Sequence, residues 1–135
     1  MIELIFAREK IKSQIMEALD KHDCVDICLH TDISTIGIPE PMARGRKGIV
    51  QSWLSIFEDV AEERLLRFPT FNYDYCRTRV YDVLEDSCQV GALNESVRLA
   101  HPERRTHTPV FNFCSLGNHS LQGVESIVNP FGPGS

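Results

Sequence analysis

GALNESVRLAHPERRTHTPVFNFCSLG, residues 91–117, reads as a short helix, a basic elbow and a buried strand. The helix covers residues 91–99, the strand residues 110–116, and Gly117 ends it. Between them stand His101, Glu103, Arg104, Arg105, Thr106, His107 and Thr108. A strand mouth with so many donors, titratable groups and hydroxyls is where an α/β protein commonly places its chemistry. The same composition also suits a solvated basic turn, so the elbow alone does not decide a function.

Upstream, the helix–strand rhythm continues. Ile11, Ile15, Ala18 and Leu19 share one face of a helix over residues 8–21, with Lys10, Lys12, Glu17 and Asp20 on the other. Residues 24–29, Cys-Val-Asp-Ile-Cys-Leu, are mostly apolar and predict a central strand covered on both faces. A turn rich in hydroxyls follows, His30-Thr-Asp-Ile-Ser-Thr-Ile-Gly37. Its backbone N–H groups, with Ser34 and Thr35, could hold a phosphate or the amides of an extended cofactor. Asp32 would repel a phosphate, and neither a P-loop nor a GxGxxG pattern is present. An ordinary surface turn fits the same residues.

The Ile38-Pro-Glu-Pro41 connection cannot be helical. A helix over residues 47–63 then shows a broad apolar face of Ile49, Val50, Trp53, Leu54, Ile56, Phe57 and Val60. Arg44, Arg46 and Lys47 sit near its start, either to meet an anion or as solvated charge. Residues 64–68 read as a short strand closed by Pro69. Residues 70–76 alternate aromatic and polar side chains, and Phe71, Tyr73, Tyr75 and Asp74 offer flat faces with a carboxylate, as sugar sites do. An edge strand would look the same. Residues 80–83 form a further short extended piece. Beyond residue 118 the chain is loop-like apart from residues 123–128. The alternation predicts an α/β fold, with layered helices on a mixed or parallel central sheet.

At 135 residues the chain is expected to form a single domain, with 42% hydrophobic residues to build its core. A net charge of −5 gives no general electrostatic case for nucleic acid. No apolar run approaches the length of a membrane span, and the opening MIELIFAREKIK has too short an apolar stretch to direct export. Cys24, Cys28, Cys76, Cys88 and Cys114 are odd in number, and Cys24, Cys28 and Cys114 have apolar neighbours. That pattern fits reduced, buried thiols in a cytoplasmic protein. Cys24, Cys28 and His30 suggest no metal, because no second ligand pair follows at zinc-site spacing. The chain stops in Asn129-Pro-Phe-Gly-Pro-Gly-Ser135, which reads as the middle of something longer. A sheet cut there would leave an unpaired edge and apolar surface that favour a homo-oligomer.

Four blocks in order resemble one family, the aminoglycoside 3-N-acetyltransferases. Residues 30–37 are similar to its His-Ser-Ser-Leu-Ser-Ser-Leu-Gly motif. Phe68-Pro-Thr-Phe71, Tyr81-Asp82, Ser87 and Gly91-Ala-Leu-Asn-Glu95 resemble its middle block. Residues 105–117, Arg-Thr-His-Thr-Pro-Val-Phe-Asn-Phe-Cys-Ser-Leu-Gly, resemble its Arg-Ser-x-His-Pro-x-x-Ser block, and Phe131-Gly-Pro-Gly-Ser135 its Phe-Gly-x-Gly-Ser turn. The middle block looks closer to members found with surface-polysaccharide genes than to antibiotic-resistance enzymes.

The resemblance implies an acetyl-CoA-dependent N-acetyltransferase, distinct in fold from GNAT enzymes, that acylates the amine of an aminoglycoside or amino sugar. It implies that His30, Thr31, Ser34, Thr35 and Gly37 lie along the pantetheine and phosphates of CoA, with Thr70 of the middle block beside them. Tyr73, Asp74, Asp82 and Glu95 would meet the acceptor. The family's base is a histidine directly before proline, supported by a later glutamate. Here Thr108 precedes Pro109, and His107 stands one place earlier, which in a strand turns it to the opposite face. His107 and Thr108 are therefore the catalytic candidates, with Thr108 able only to donate or relay a hydrogen bond. The family chain is roughly twice as long, and its late glutamate has no counterpart here, so a truncated or catalytically silent CoA-binding form is the alternative. The cysteine pattern carries its own expectation. All five thiols should react after denaturation without reductant, and a shortfall of two would reveal a disulfide.

Overall fold

The computed structural model describes residues 5–33, 36–39 and 45–118. The elements run β1 (Ile5–Phe6), α1 (Arg8–Lys21), β2 (Asp26–Cys28), β3 (Ile38–Pro39), α2 (Gly45–Ala61), β4 (Leu65–Pro69), α3 (Tyr75–Thr78), α4 (Ala92–Ala100), a 3₁₀ turn (Pro102–Arg104) and β5 (Phe113–Gly117). Among the described residues two small sheets form. β1 pairs β3 in parallel; β2, β4 and β5 form a mixed sheet in that order, with β2–β4 parallel and β4–β5 antiparallel. The α/β class and the mixed sheet follow the sequence. No helix among the described residues is long and apolar enough to cross a membrane.

The core lies between α2 and the β2–β4–β5 sheet. Trp53, Leu54, Ile56, Phe57 and Val60 recur at helical spacing on α2 and are buried against Leu66 and Phe68 of β4 and Leu116 of β5. Phe57 meets Trp53 in a stacked pair at 6.1 Å and Phe68 edge-on at 5.7 Å. The Trp53 Nε1–H donates to the Gly37 carbonyl at 3.1 Å, which ties the 36–39 segment to the helix. On α1, Ile11 is buried, and Arg8 reaches across to Ser55 and Asp59 of α2. Leu93 and Val97 carry α4 onto the same core.

Three sequence expectations are corrected. Residues 24–29 do not make a central strand. β2 is three residues long and lies at the end of its sheet's strand order, with Asp26 and Cys28 exposed and Ile27 turned inward. The run was apolar on average, but its period of two puts one apolar residue inside. β4 is the central strand, buried at both ends, and only its Arg67 emerges to hold Asp26 through bonds of 2.8 and 3.0 Å. That guanidinium, donating to both carboxylate oxygens, keeps the Asp26 carboxyl below its ordinary pKa. The cysteines differ too. All are free, but Cys28 and Cys76 are exposed and only Cys114 is fully buried.

The third correction concerns residues 70–89, which hold no strand. Short polar side chains fold this stretch onto itself instead. Asn72 Oδ1 accepts from Asp74 N at 2.9 Å, Asp82 Oδ1 accepts from Leu84 N and Glu85 N at 3.0 and 3.1 Å, and Arg79 takes a left-handed φ of 59°. The helices over residues 8–21, 47–63 and 91–99, by contrast, form within two residues of the sequence reading.

Gly117 ends β5 where the chain presses on the turn after α2. Its φ is 96°, and a Cβ there would come within 1.9 Å of the Arg64 carbonyl oxygen and 3.0 Å of Ala61 Cβ. Gly117→Ala should destabilise the fold by at least roughly 1–3 kcal/mol from the left-handed backbone alone, read as a lowered denaturation midpoint. An unchanged midpoint would mean that the turn yields.

Candidate functional site

Parallel pairing brings the carboxyl ends of β2 and β4 side by side, and a cleft of about 210 Å³ opens there. His30 and Thr31 enter it from the end of β2. Pro69, Phe71 and Tyr73 enter from β4 and the chain beyond; Val90 and Asn94 come from the start of α4. Phe71 is the centre of its aromatic wall, edge-on to Tyr73 at 6.5 Å, Phe111 at 5.2 Å and Phe113 at 5.4 Å. Tyr73 and Phe111 remain 46% and 40% exposed, so the wall has a flat, wetted rim.

Asn94 is 4% exposed. Its Nδ2 donates to the Val90 carbonyl at 3.3 Å, but its Oδ1 has no hydrogen-bond partner. Thr31 Oγ1 has none either. Among the described residues these are the buried side-chain polar atoms left without a partner, and both residues line this cleft. An unsatisfied buried acceptor costs about 1–3 kcal/mol, so the coincidence calls for an explanation in terms of the cleft.

His30 is exposed, with Nε2 3.5 Å from Cys28 Sγ. Shielding of that sulfur pushes the Cys28 thiol up, so it is protonated near neutrality and is a poor nucleophile. Cys24 does not join the pair, because its thiol donates to the His22 carbonyl at 3.7 Å. Among the described residues no group of three or more His, Cys, Asp or Glu could hold a metal ion.

The other residues singled out by sequence land elsewhere. Ser34 and Thr35 lie outside the described residues. Thr70 is fully buried and offers a ligand no surface. Its hydroxyl donates to Asn112 Oδ1 at 2.6 Å, and its N–H donates to the Asn112 carbonyl at 3.0 Å. The Glu95 carboxylate is spent on the Cys88 N–H and on a bidentate pair with Arg98. Asp82 caps its own turn, and Asp74 accepts from Gln89 Nε2 at 3.2 Å. Of the acceptor residues, only Tyr73 reaches the cleft.

His107 and Thr108 do not line it either. The strand parity that would turn His107 away does not apply, because residues 105–114 form a hairpin closed by an Arg105–Cys114 bridge, with Thr106 N donating to Phe113 O at 2.8 Å. His107, exposed, and Thr108, half-buried, sit on its loop. The loop returns through Val110 at φ 65°, where Phe111 N donates to Pro109 O at 2.8 Å. A β-branched residue with positive φ is an uncommon conformation that its surroundings must enforce.

Arg105 enforces it. Its guanidinium is buried, 2% exposed, and donates to Asn112 Oδ1 at 2.9 Å, Thr70 O at 2.9 Å, Val83 O at 3.2 Å and the Asp86 carbonyl. Its face stacks over the Tyr81 ring at 5.3 Å. Neither the buried Arg105 network nor the role of Asn94 was foreseen. Asn94 lies within the Gly91-Ala-Leu-Asn-Glu95 block, but its sequence context assigns it no part.

No family model matches the chain, and no curated protein matches it. Among solved structures it is similar to the YokD protein from Bacillus subtilis, with a TM-score of 0.58 and 20% sequence identity over 82% of this chain and 51% of that one. The chain thus spans about half the length of YokD. At this identity the likeness shows a shared α/β fold.

Arg105→Met would keep much of the packing but strand the Thr70, Val83 and Asp86 carbonyls, while Asn112 Oδ1 keeps the Thr70 hydroxyl. The expected loss is at least about 3 kcal/mol, measured by denaturant unfolding. A loss below about 1 kcal/mol would show that water satisfies those acceptors.

Proposed function

We propose that this chain acts in acetyl transfer from acetyl-CoA to an amino group of an aminoglycoside or amino sugar, on an aminoglycoside acetyltransferase-like variant of the α/β fold. The observation that carries the reading is convergence. The blocks that resemble the family are separate in sequence, yet His30 and Thr31 of the first line one cleft with Phe71 and Asn94, from the two ends of the middle block. The block at residues 105–117 supplies the arginine that ties down the loops around it. A cytoplasmic setting, an organic acceptor rather than a nucleic acid or membrane, no metal, and self-association through open sheet edges belong to the same reading.

The chemistry sets the requirements. An ammonium must lose a proton before it attacks the thioester, and an imidazole has a suitable pKa. A donor must then steady the tetrahedral oxyanion. The resemblance puts Thr108 at the base's position; His107, one place earlier, is the candidate base, with Thr108 able only to donate or relay a hydrogen bond. His30 is the imidazole that lines the cleft, and it is assigned to cofactor binding. One observation favours a second reading, a catalytically silent CoA-binding or interaction protein: His107 and Thr108 stand outside the cleft lining, and Glu95 is already engaged.

Thiol release from acetyl-CoA with aminoglycoside or amino-sugar acceptors separates the two. Under the first reading, His107→Ala lowers turnover by roughly 10²–10⁴-fold, while His30→Ala weakens acetyl-CoA binding more than turnover. Calorimetric binding of acetyl-CoA without turnover would favour the silent protein. Neither binding nor turnover would sink both.

A further inference from the structure

Thr31 Oγ1 and Asn94 Oδ1 come from different elements, one from the chain after β2 and one from the first turn of α4, yet both residues line the same cleft and share the same defect. Asn94 Oδ1 can only accept, because the amide's other end is committed to the Val90 carbonyl. The remaining lining is Pro69, Phe71, Tyr73 and Val90, with His30 at the rim of β2. Among the described residues that line it there is no Asp, Glu, Lys or Arg. An ammonium entering here would find no counter-charge, and an anion would face the lone pairs of Asn94. A neutral N–H or O–H on an apolar or flat body meets both demands: it gives the acceptors their donor and covers Phe71 and Tyr73.

We propose that the cleft is a subsite for a neutral hydrogen-bond donor, a secondary-amide N–H or a sugar hydroxyl, with Asn94 as its specificity-determining acceptor and Thr31 as the second contact. The choice of these two ligand sources rests on the acetyl-transfer reading, since one belongs to the pantetheine arm of a CoA thioester and the other to a sugar acceptor. The recognition chemistry is the same for both.

The test uses the full chain, without acetyl-CoA, titrated by NMR with pantetheine under reducing conditions, with methyl glucoside, and with inorganic phosphate. One neutral ligand should bind and phosphate should not; which one binds names the source. Thr31→Val is the informative variant, because it keeps the shape and removes an unsatisfied hydroxyl. It should raise the melting temperature of the free protein and yet weaken the neutral ligand about tenfold, a pair of opposite signs that a purely structural threonine cannot give. Asn94→Ala should weaken the same ligand by a similar factor, with its fold checked by the same melt. Binding of neither neutral ligand would mean that water alone fills the cleft and would overturn the proposal. So would preferential binding of phosphate, or a Thr31→Val variant that melts lower and binds as before. Acetyl transfer is assayed separately. Turnover without neutral-ligand binding leaves the enzyme reading standing and removes this subsite; ligand binding without turnover does the reverse.

Discussion

Burying a guanidinium takes a full set of acceptors, and Arg105 obtains them from carbonyls rather than from carboxylates. This arrangement decides the shape of everything on the carboxyl side of the sheet. Residues 70–89 contain no strand and little helix, so their own turns satisfy only part of their backbone. The Thr70, Val83 and Asp86 carbonyls turn toward one positive charge instead, and Tyr81 lays its ring over it. Asn112 closes the arrangement by accepting from both Arg105 and Thr70, which also holds the strained turn at Val110. Planarity makes arginine suited to this, because its donors diverge in a fixed fork that a lysine cannot reproduce. Arg105 acts together with the Thr70–Asn112 hydrogen bonds and the contacts of Phe71 with Phe111 and Phe113, which fix the loop that carries Phe71 and Tyr73 to the hairpin.

How much of this could be read in advance depended on whether a pattern was local. The helices α1, α2 and α4 announce themselves through residues three and four apart, such as Trp53, Phe57 and Val60, and α2 is long enough for the signal to be unambiguous. β4 was legible as a short strand because Leu65, Leu66 and Phe68 are closed off by Pro69, though its central place was not. The central place predicted for β2 is wrong because a short apolar run does not reveal its neighbours; Asp26 and Cys28 are exposed because they share the face of the strand opposite Ile27. The stretch after Pro69 failed for a related reason. Aromatic–polar alternation is an edge-strand signal until Asn72, Asp74 and Asp82 are recognised as turn formers that bond their own backbone.

The candidate site was legible only in part, and the division has a physical basis. His30, Thr31 and Tyr73 were named in advance, and they share the cleft because β2 and β4 are parallel and therefore finish at the same edge. Thr70, Glu95 and Asp82 carry chemistry-bearing groups that the fold consumes. A hydroxyl bonded to Asn112, or a carboxylate held by Arg98, looks the same in sequence as one facing a ligand. Likewise, the parity argument about His107 assumed a strand, and the hairpin loop removes that premise without itself bringing the imidazole to the cleft.

Satisfaction and its absence lie close together here. Arg105, Asn112 and Thr70 are as buried as any polar residues in the molecule, and each has its hydrogen bonds made. Asn94 and Thr31 carry the orphaned oxygens. Loose packing would scatter such defects through the interior. Their concentration in residues lining one cleft means that the surrounding network holds the backbone against the collapse that would otherwise fill it. A pocket lined by unsatisfied acceptors is unstable by itself, and it persists only when rigid neighbours absorb the cost. The Arg105 network is such a neighbour: it anchors Thr70, one residue before Phe71, and so fixes the aromatic wall opposite α4. Structural and binding roles are thus divided within a few residues of chain, with the polar groups that hold the loops hidden beneath those that face the cleft.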